Sequence, residues 1–155
     1  MHFWLDPANA AAMLANIADT LAAADPEHAA TYAANAAAAA EELTALTARV
    51  EAVLAPVKAK PFVVFHDAYQ YFERRFGLSV VGSITVTPDT MPGASRIAEI
   101  RARLIEANAA CVFAEPQFEP AIVNTIVEGT PARTGVLDPE GASLAEGPGL
   151  YAELV

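Results

Sequence analysis

The sequence predicts an α/β fold: a four-stranded, mostly parallel sheet flanked by helices, preceded by a short helix and one long backbone helix. Residues 27–55 contain neither glycine nor proline and are dominated by alanine, leucine and glutamate, a helix-forming composition without a break. After Pro56, short apolar runs alternate with segments of helical periodicity. That is the pattern of a parallel sheet with right-handed crossovers. A third observation locates a site. The apolar run 62–65 ends in His66-Asp67, at the carboxyl end of a strand, where open α/β sheets hold their ligands.

Taken in order, Asp6-Pro7 is a helix start, with aspartate as N-cap and proline at the first helical position. Leu14, Ile17 and Leu21 then keep the spacing of a buried stripe. Asp25-Pro26 repeats the start signal. The helix that follows reaches roughly 40 Å at 1.5 Å per residue, with one apolar seam of Leu43, Leu46, Val50 and Val53. Its length suits a strut between two bodies. Residues 62–65 form the first strand and 68–76 a helix, with Gly77 as C-cap. A second strand starts at 78–81 and continues through Ile84 and Val86. The loop 87–93 feeds a helix carrying Ile97, Ile100 and Leu104. Residues 110–114 make the third strand, 120–127 a helix stopped by Gly129, and 133–137 the fourth strand. The glycine-rich tail from Asp138 is expected to end without a closing helix.

Composition excludes several classes. The chain has 155 residues, enough for one ordinary core. Its formal charge of −10, with no basic run longer than Arg74-Arg75, argues against nucleic acid, whose phosphates must be neutralised by lysine and arginine. No strongly apolar run is long enough to span a bilayer. The opening residues carry no basic region followed by an apolar core, so no export signal is read there. Cys111 is the only cysteine, which rules out an internal disulfide and a multi-cysteine zinc cluster. Its place inside an apolar strand points to an inert thiol. There is no G-x-S-x-G elbow and no phosphate-binding glycine loop.

In a parallel sheet the carboxyl ends of all strands share one edge. Here they carry His66 and Asp67, then residues 83–85, then Glu115, then Asp138. Imidazole with carboxylates suits zinc or manganese. Taken by themselves, a lone histidine after a strand is more often a hydrogen-bonded structural residue and carboxylates at such junctions are commonly helix caps, and Glu119 before Pro120 is best explained as such a cap. His2 precedes Phe3-Trp4-Leu5, so packing of Trp4 can fix it. His28, in the first turn of the long helix, reads as solvated. No two histidines stand at i, i+4.

Four strings in order, His2-Phe3-Trp4-Leu5-Asp6-Pro7, Phe65-His66-Asp67-Ala68-Tyr69, Phe113-Ala114-Glu115-Pro116-Gln117-Phe118 and Leu137-Asp138-Pro139, give a resemblance over nearly the whole chain. It resembles the second half of the zinc-type metal-binding (solute-binding) proteins of bacterial ABC importers. The resemblance implies two α/β lobes joined by a long helix, with metal held between them. On that basis residues 1–25 are a remnant of the first lobe, 26–56 the interdomain helix, and 57–155 the second metal-binding lobe, truncated at its C-terminus. It implies metal ligation by His2, His66 and Asp138, with Glu115, Asp67 and Tyr69 in support behind them. Histidine at position 66 leans to zinc, with manganese as the alternative. The partners it implies are a divalent metal ion and an ABC permease, in the periplasm or outside the cell. Family features absent from the chain are the remaining first-lobe histidine, a histidine-rich loop, and a cysteine that in some members pairs at the position of Cys111.

The expected function is therefore high-affinity zinc capture for uptake, present as a fragment with an incomplete site, and not an enzyme. His2 is expected to lack a lobe to stand on. Binding is expected to weaken below about pH 6, since histidine must be neutral to ligate. Exposed apolar surface along the strut also suggests a homo-oligomer. The alternatives are a metal-dependent hydrolase using His66, Glu115 and Asp138 around an open coordination position, or an inert folded fragment.

Overall fold

In a computed structural model, which describes residues 2–85, 92–118 and 120–155, the chain opens with a helical turn at Phe3–Leu5 and helix α1 (Pro7–Ala24). The Asp6 side chain accepts a hydrogen bond from the Ala8 amide at 2.9 Å, and Pro7 occupies the first turn. This is the cap expected from Asp6-Pro7. Asp25 does start the next helical segment, but its side chain makes no cap bond. It takes hydrogen bonds from His28 Nδ1 at 2.8 Å and from the Tyr32 hydroxyl at 2.9 Å. Helix α2 (Ala29–Leu54) follows a short 3-10 turn and packs along α1.

The expected apolar stripes are only partly buried. Leu43 and Leu46 are covered, but Val53 is 73% exposed, and Ile17 and Leu21 stand largely in the open. The two helices pack along each other, and of the two stripes only Leu43 and Leu46 are buried. A groove of about 590 Å³ runs beside them, lined by Leu14, Ile17, Leu43 and Leu46 among others.

The sheet comprises β1 (Phe62–His66), β2 (Val80–Thr85), β3 (Cys111–Ala114) and β4 (Arg133–Val136), all parallel, in the order β2-β1-β3-β4. Between the strands run α3 (Gln70–Phe76), α4 (Ala94–Glu106) and α5 (Pro120–Val127). Helix α3 starts two residues later than expected, because Asp67 and Ala68 form the turn out of β1. It ends where the sequence says it must: Gly77 has φ 65°, and the Leu78 amide bonds back to the Glu73 carbonyl, a Schellman-type stop. The expected end of β2 at Val86, most of the loop 87–93, and Glu119 lie outside the described residues. The tail is not without helix: α6 (Leu150–Leu154) closes it. Cys111 opens β3 and is only half-buried, not sealed within it.

Two apolar layers cover the sheet. On one side Val63, Phe65, Ile84 and Val112 pack against Ile100 and Leu104 of α4 and Val123 and Ile126 of α5. On the other, Val64, Ala68 and Tyr69 meet Leu5, with Trp4, Leu137 and Leu154 around them. The N-terminal turn is thus part of the sheet's second layer. Trp4 Nε1 donates to the Pro139 carbonyl at 3.1 Å, the Tyr151 hydroxyl donates to the Trp4 carbonyl at 2.7 Å, and Arg75 forks onto Asp6.

Candidate metal centre

The alternation of β1 points Val63 and Phe65 to one layer and Val64 to the other, and ends on a buried His66 at the sheet's carboxyl edge. Glu115, the first residue after β3, is 3% exposed and lies directly beside it. His66 Nδ1 is 2.7 Å and 2.8 Å from the two Glu115 oxygens, and the His66 amide donates to Oε1 at 3.3 Å. Because an ionised carboxylate only accepts, the hydrogen is on Nδ1, which in a neutral ring leaves the lone pair on Nε2. Phe118 stacks on Phe65 with ring centres 4.4 Å apart and meets His66 edge-on. These contacts fix the plane of the imidazole.

His2 stands 5.1 Å from His66, ring centre to ring centre, at 63°. Its side chain is 12% exposed and its ring also meets Trp4 edge-on. The expectation that His2 lacks support is therefore corrected. Trp4, bonded to Pro139, seats it on the sheet lobe itself. Burial chiefly, then the nearby chain amino group and His66, hold the His2 pKa below its ordinary value, against the opposing pull of Glu140 and Glu115. A lowered pKa keeps the ring neutral, the form that ligates metal. His2 Nδ1 is buried without a hydrogen-bond partner among the described residues. Two imidazoles on one tetrahedral zinc, with Zn–N of about 2.0–2.1 Å, have ring centres roughly 5 Å apart. The observed pair has that spacing.

The other expected residues are placed differently. Asp138, two residues past β4, turns its carboxylate into its own loop. Its Oδ2 accepts from the Ser143 amide at 2.9 Å and hydroxyl at 2.8 Å, and its Oδ1 from the Glu140 amide at 3.3 Å. Burial pushes the Asp138 pKa up, but hydrogen bonds from Ser143, Ala142 and Glu140 outweigh it and hold the carboxyl below its usual value. Asp67 is exposed and accepts from Gln70 at the start of α3. Tyr69 is buried with its hydroxyl unpartnered among the described residues, and burial, then Glu115 and Asp138, push its pKa up. Glu140 was not singled out by its pattern, yet its Oε1 lies 3.9 Å from His2 Nε2. The one sequence signal for it is its position two residues after Asp138.

Among the described residues, no three His, Cys, Asp or Glu side chains are gathered closely enough to hold a metal ion. The trio His66, Glu115 and Asp138 that a metal-assisted hydrolase needs is thus not assembled, because Glu115 is engaged by Nδ1 and Asp138 by its loop. His28, at the far end of α1, is exposed and paired with Asp25.

The four-stranded parallel sheet with its flanking helices is the fold of a solute-binding protein. A family model described as "ZnuA: Zinc-uptake complex component A periplasmic" matches residues 1–155, and the chain belongs to that family. It is 59% identical over 155 residues to the high-affinity zinc uptake system protein ZnuA of Brucella abortus (strain 2308), covering all of this chain and 46% of that protein. The ZnuA of Paracoccus denitrificans (strain Pd 1222) is 45% identical, over 99% of this chain and 48% of its own length. A crystal structure of ZnuA superposes with a TM-score of 0.84 at 29% identity, covering 99% of this chain and 55% of the other. The laminin-binding adhesin Lmb of Streptococcus agalactiae, in a mutant structure, gives 0.85 at 32%, covering 99% and 60%. The chain spans about half the length of the curated relatives it matches.

Proposed function

We propose that this chain supplies one wall of a zinc-capture site, the wall that holds His66 and His2, for high-affinity zinc uptake through an ABC permease. The observation that carries the reading is the His66–Glu115 contact. A buried carboxylate bonded to one ring nitrogen orients the other and raises its basicity, the arrangement found behind metal-ligating histidines. His2 at zinc-compatible spacing supplies a second nitrogen. In this reading α2 (Ala29–Leu54) is the interdomain helix and residues 57–155 are the second metal-binding lobe. The parent works in the periplasm, as the family's description states for its component. The Brucella and Paracoccus relatives are named as zinc uptake proteins, and two imidazoles favour zinc over manganese, which prefers oxygen donors.

The mechanism is capture and handover. Neutral imidazoles take the ion, and Glu115 keeps His66 in register. With two nitrogens in place of four ligands, the 155-residue chain should bind zinc well below the affinity of a closed tetrahedral site. Titration calorimetry tests this. Wild type is expected to bind one zinc, and His66→Ala to lose at least about tenfold, the scale on which even supporting residues act. Unchanged binding in that variant would sink the assignment.

A further inference from the structure

We propose that Tyr151, on helix α6, is a positioning residue for zinc capture: its hydrogen bond to the Trp4 carbonyl holds the N-terminal turn on the sheet lobe and so keeps the His2 ring beside His66. This rests on the zinc-capture reading and deepens it. The two histidines are held by different means. His66 is oriented through its own Nδ1 by Glu115. His2 has no such bond. Its Nδ1 is without a hydrogen-bond partner among the described residues, and its Nε2 lies 3.9 Å from Glu140 Oε1, beyond hydrogen-bond reach. What places the ring is packing, edge-on against Trp4 and His66 with ring centres 5.2 Å and 5.1 Å away. The position of His2 therefore follows that of Trp4.

Trp4 sits in a 3-10 turn of three residues, Phe3–Leu5, in which the Leu5 amide donates to the His2 carbonyl at 3.2 Å. A single turn of this kind does not hold itself together, since one hydrogen bond does not offset the ordering of its backbone. Two contacts from distant segments complete it. The indole Nε1 donates to the Pro139 carbonyl at 3.1 Å, and the Tyr151 hydroxyl donates to the Trp4 carbonyl at 2.7 Å. The first pins the end of the side chain and the second pins the backbone. Tyr151 suits the task. It lies half-buried in α6, a helix whose Leu154 packs into the sheet's second layer. Burial first, then Asp6, push its hydroxyl pKa up to about 12, so it remains a donor across the range in which neutral imidazole ligates.

The test is zinc titration of the 155-residue chain beside Tyr151→Phe, His2→Ala, the two combined, and His66→Ala, with cobalt(II) absorption as a second readout of the ligand set. Circular dichroism and urea denaturation report folding and stability. Tyr151→Phe keeps the ring and removes only the donor, so it should fold as wild type does. Its zinc affinity should fall roughly 3- to 10-fold, the scale of one hydrogen bond, and its cobalt spectrum should change. In the His2→Ala background the same substitution should leave zinc affinity where it was, although its effect on the urea midpoint persists. That non-additivity separates positioning from a general loss of structure, which would weaken both backgrounds alike. The role of Tyr151 is overturned, with the capture site standing, if His66→Ala is impaired while Tyr151→Phe binds zinc and cobalt as wild type does or weakens binding equally with and without His2. If His66→Ala also binds as wild type does, the capture reading falls, and Tyr151 with it.

Discussion

At the residue scale the molecule turns on a pair separated by 49 positions: His66 and Glu115. Neither is informative alone, since a histidine after a strand and a glutamate before a proline are both common. Together, buried and within 2.7 Å, they form an oriented imidazole. Replacing Glu115 with Gln keeps the shape but weakens the acceptor and allows the ring to choose the other tautomer. Zinc affinity should fall roughly 10- to 100-fold with the fold retained, as calorimetry and circular dichroism would show. Glu115→Ala should add a stability loss of about 1–3 kcal/mol from the orphaned, buried Nδ1–H, readable by urea denaturation.

At the scale of elements, the punctuation of the chain was legible because it is local. Asp6-Pro7 starts α1, the alanine-rich stretch is helical, and Gly77 stops α3, each for a reason contained within a few residues. Gly77 adopts φ 65°, and a Cβ there would lie 2.6 Å from Lys58 Cε. The lysine tip can move; the backbone angle cannot. Gly77→Ala should therefore cost about 1–2 kcal/mol, seen as a lower urea midpoint with unchanged slope. The stripe Leu14, Ile17 and Leu21 was not legible as surface, because helical spacing says which residues share a face and not what covers that face. Burial is decided by the partner element, and with α1 and α2 packed together Ile17 and Leu21 still stand largely in the open.

At the scale of the whole molecule, Glu73 offers a handle on stability. It lines a cavity of about 630 Å³ with Tyr69, Phe72 and Leu78, and its Oε1 finds no partner among the described residues. Burial first, then Asp67, raise its pKa to about 7, with Arg74 opposing. The folded chain thus keeps a proton that the unfolded chain releases near the ordinary value of 4.5. Stability linked to this proton is fully present below pH 4.5 and is lost as pH rises through about 7. Glu73→Gln removes that dependence. Its melting temperature should exceed wild type by roughly 2–4 °C at pH 8, the shift from about 1 kcal/mol at this size, with little difference at pH 5. Thermal melts at the two values decide it.

The sequence by itself determined the class of fold, the order of the four strands and of the helices between them, and the presence of one histidine at a strand's carboxyl end, because hydrophobic period, caps and helix stops act within a few residues. Its ordered strings also pointed to the family. Only the tertiary structure decided what stands beside that histidine. Trp4 reaches across 135 positions to Pro139 and seats His2 against His66. The Asp138 carboxylate accepts from Ser143, and Glu140, which no pattern marked, approaches His2 at 3.9 Å. Such choices depend on which hydrogen bonds are satisfied when distant segments meet, and no local period carries that information.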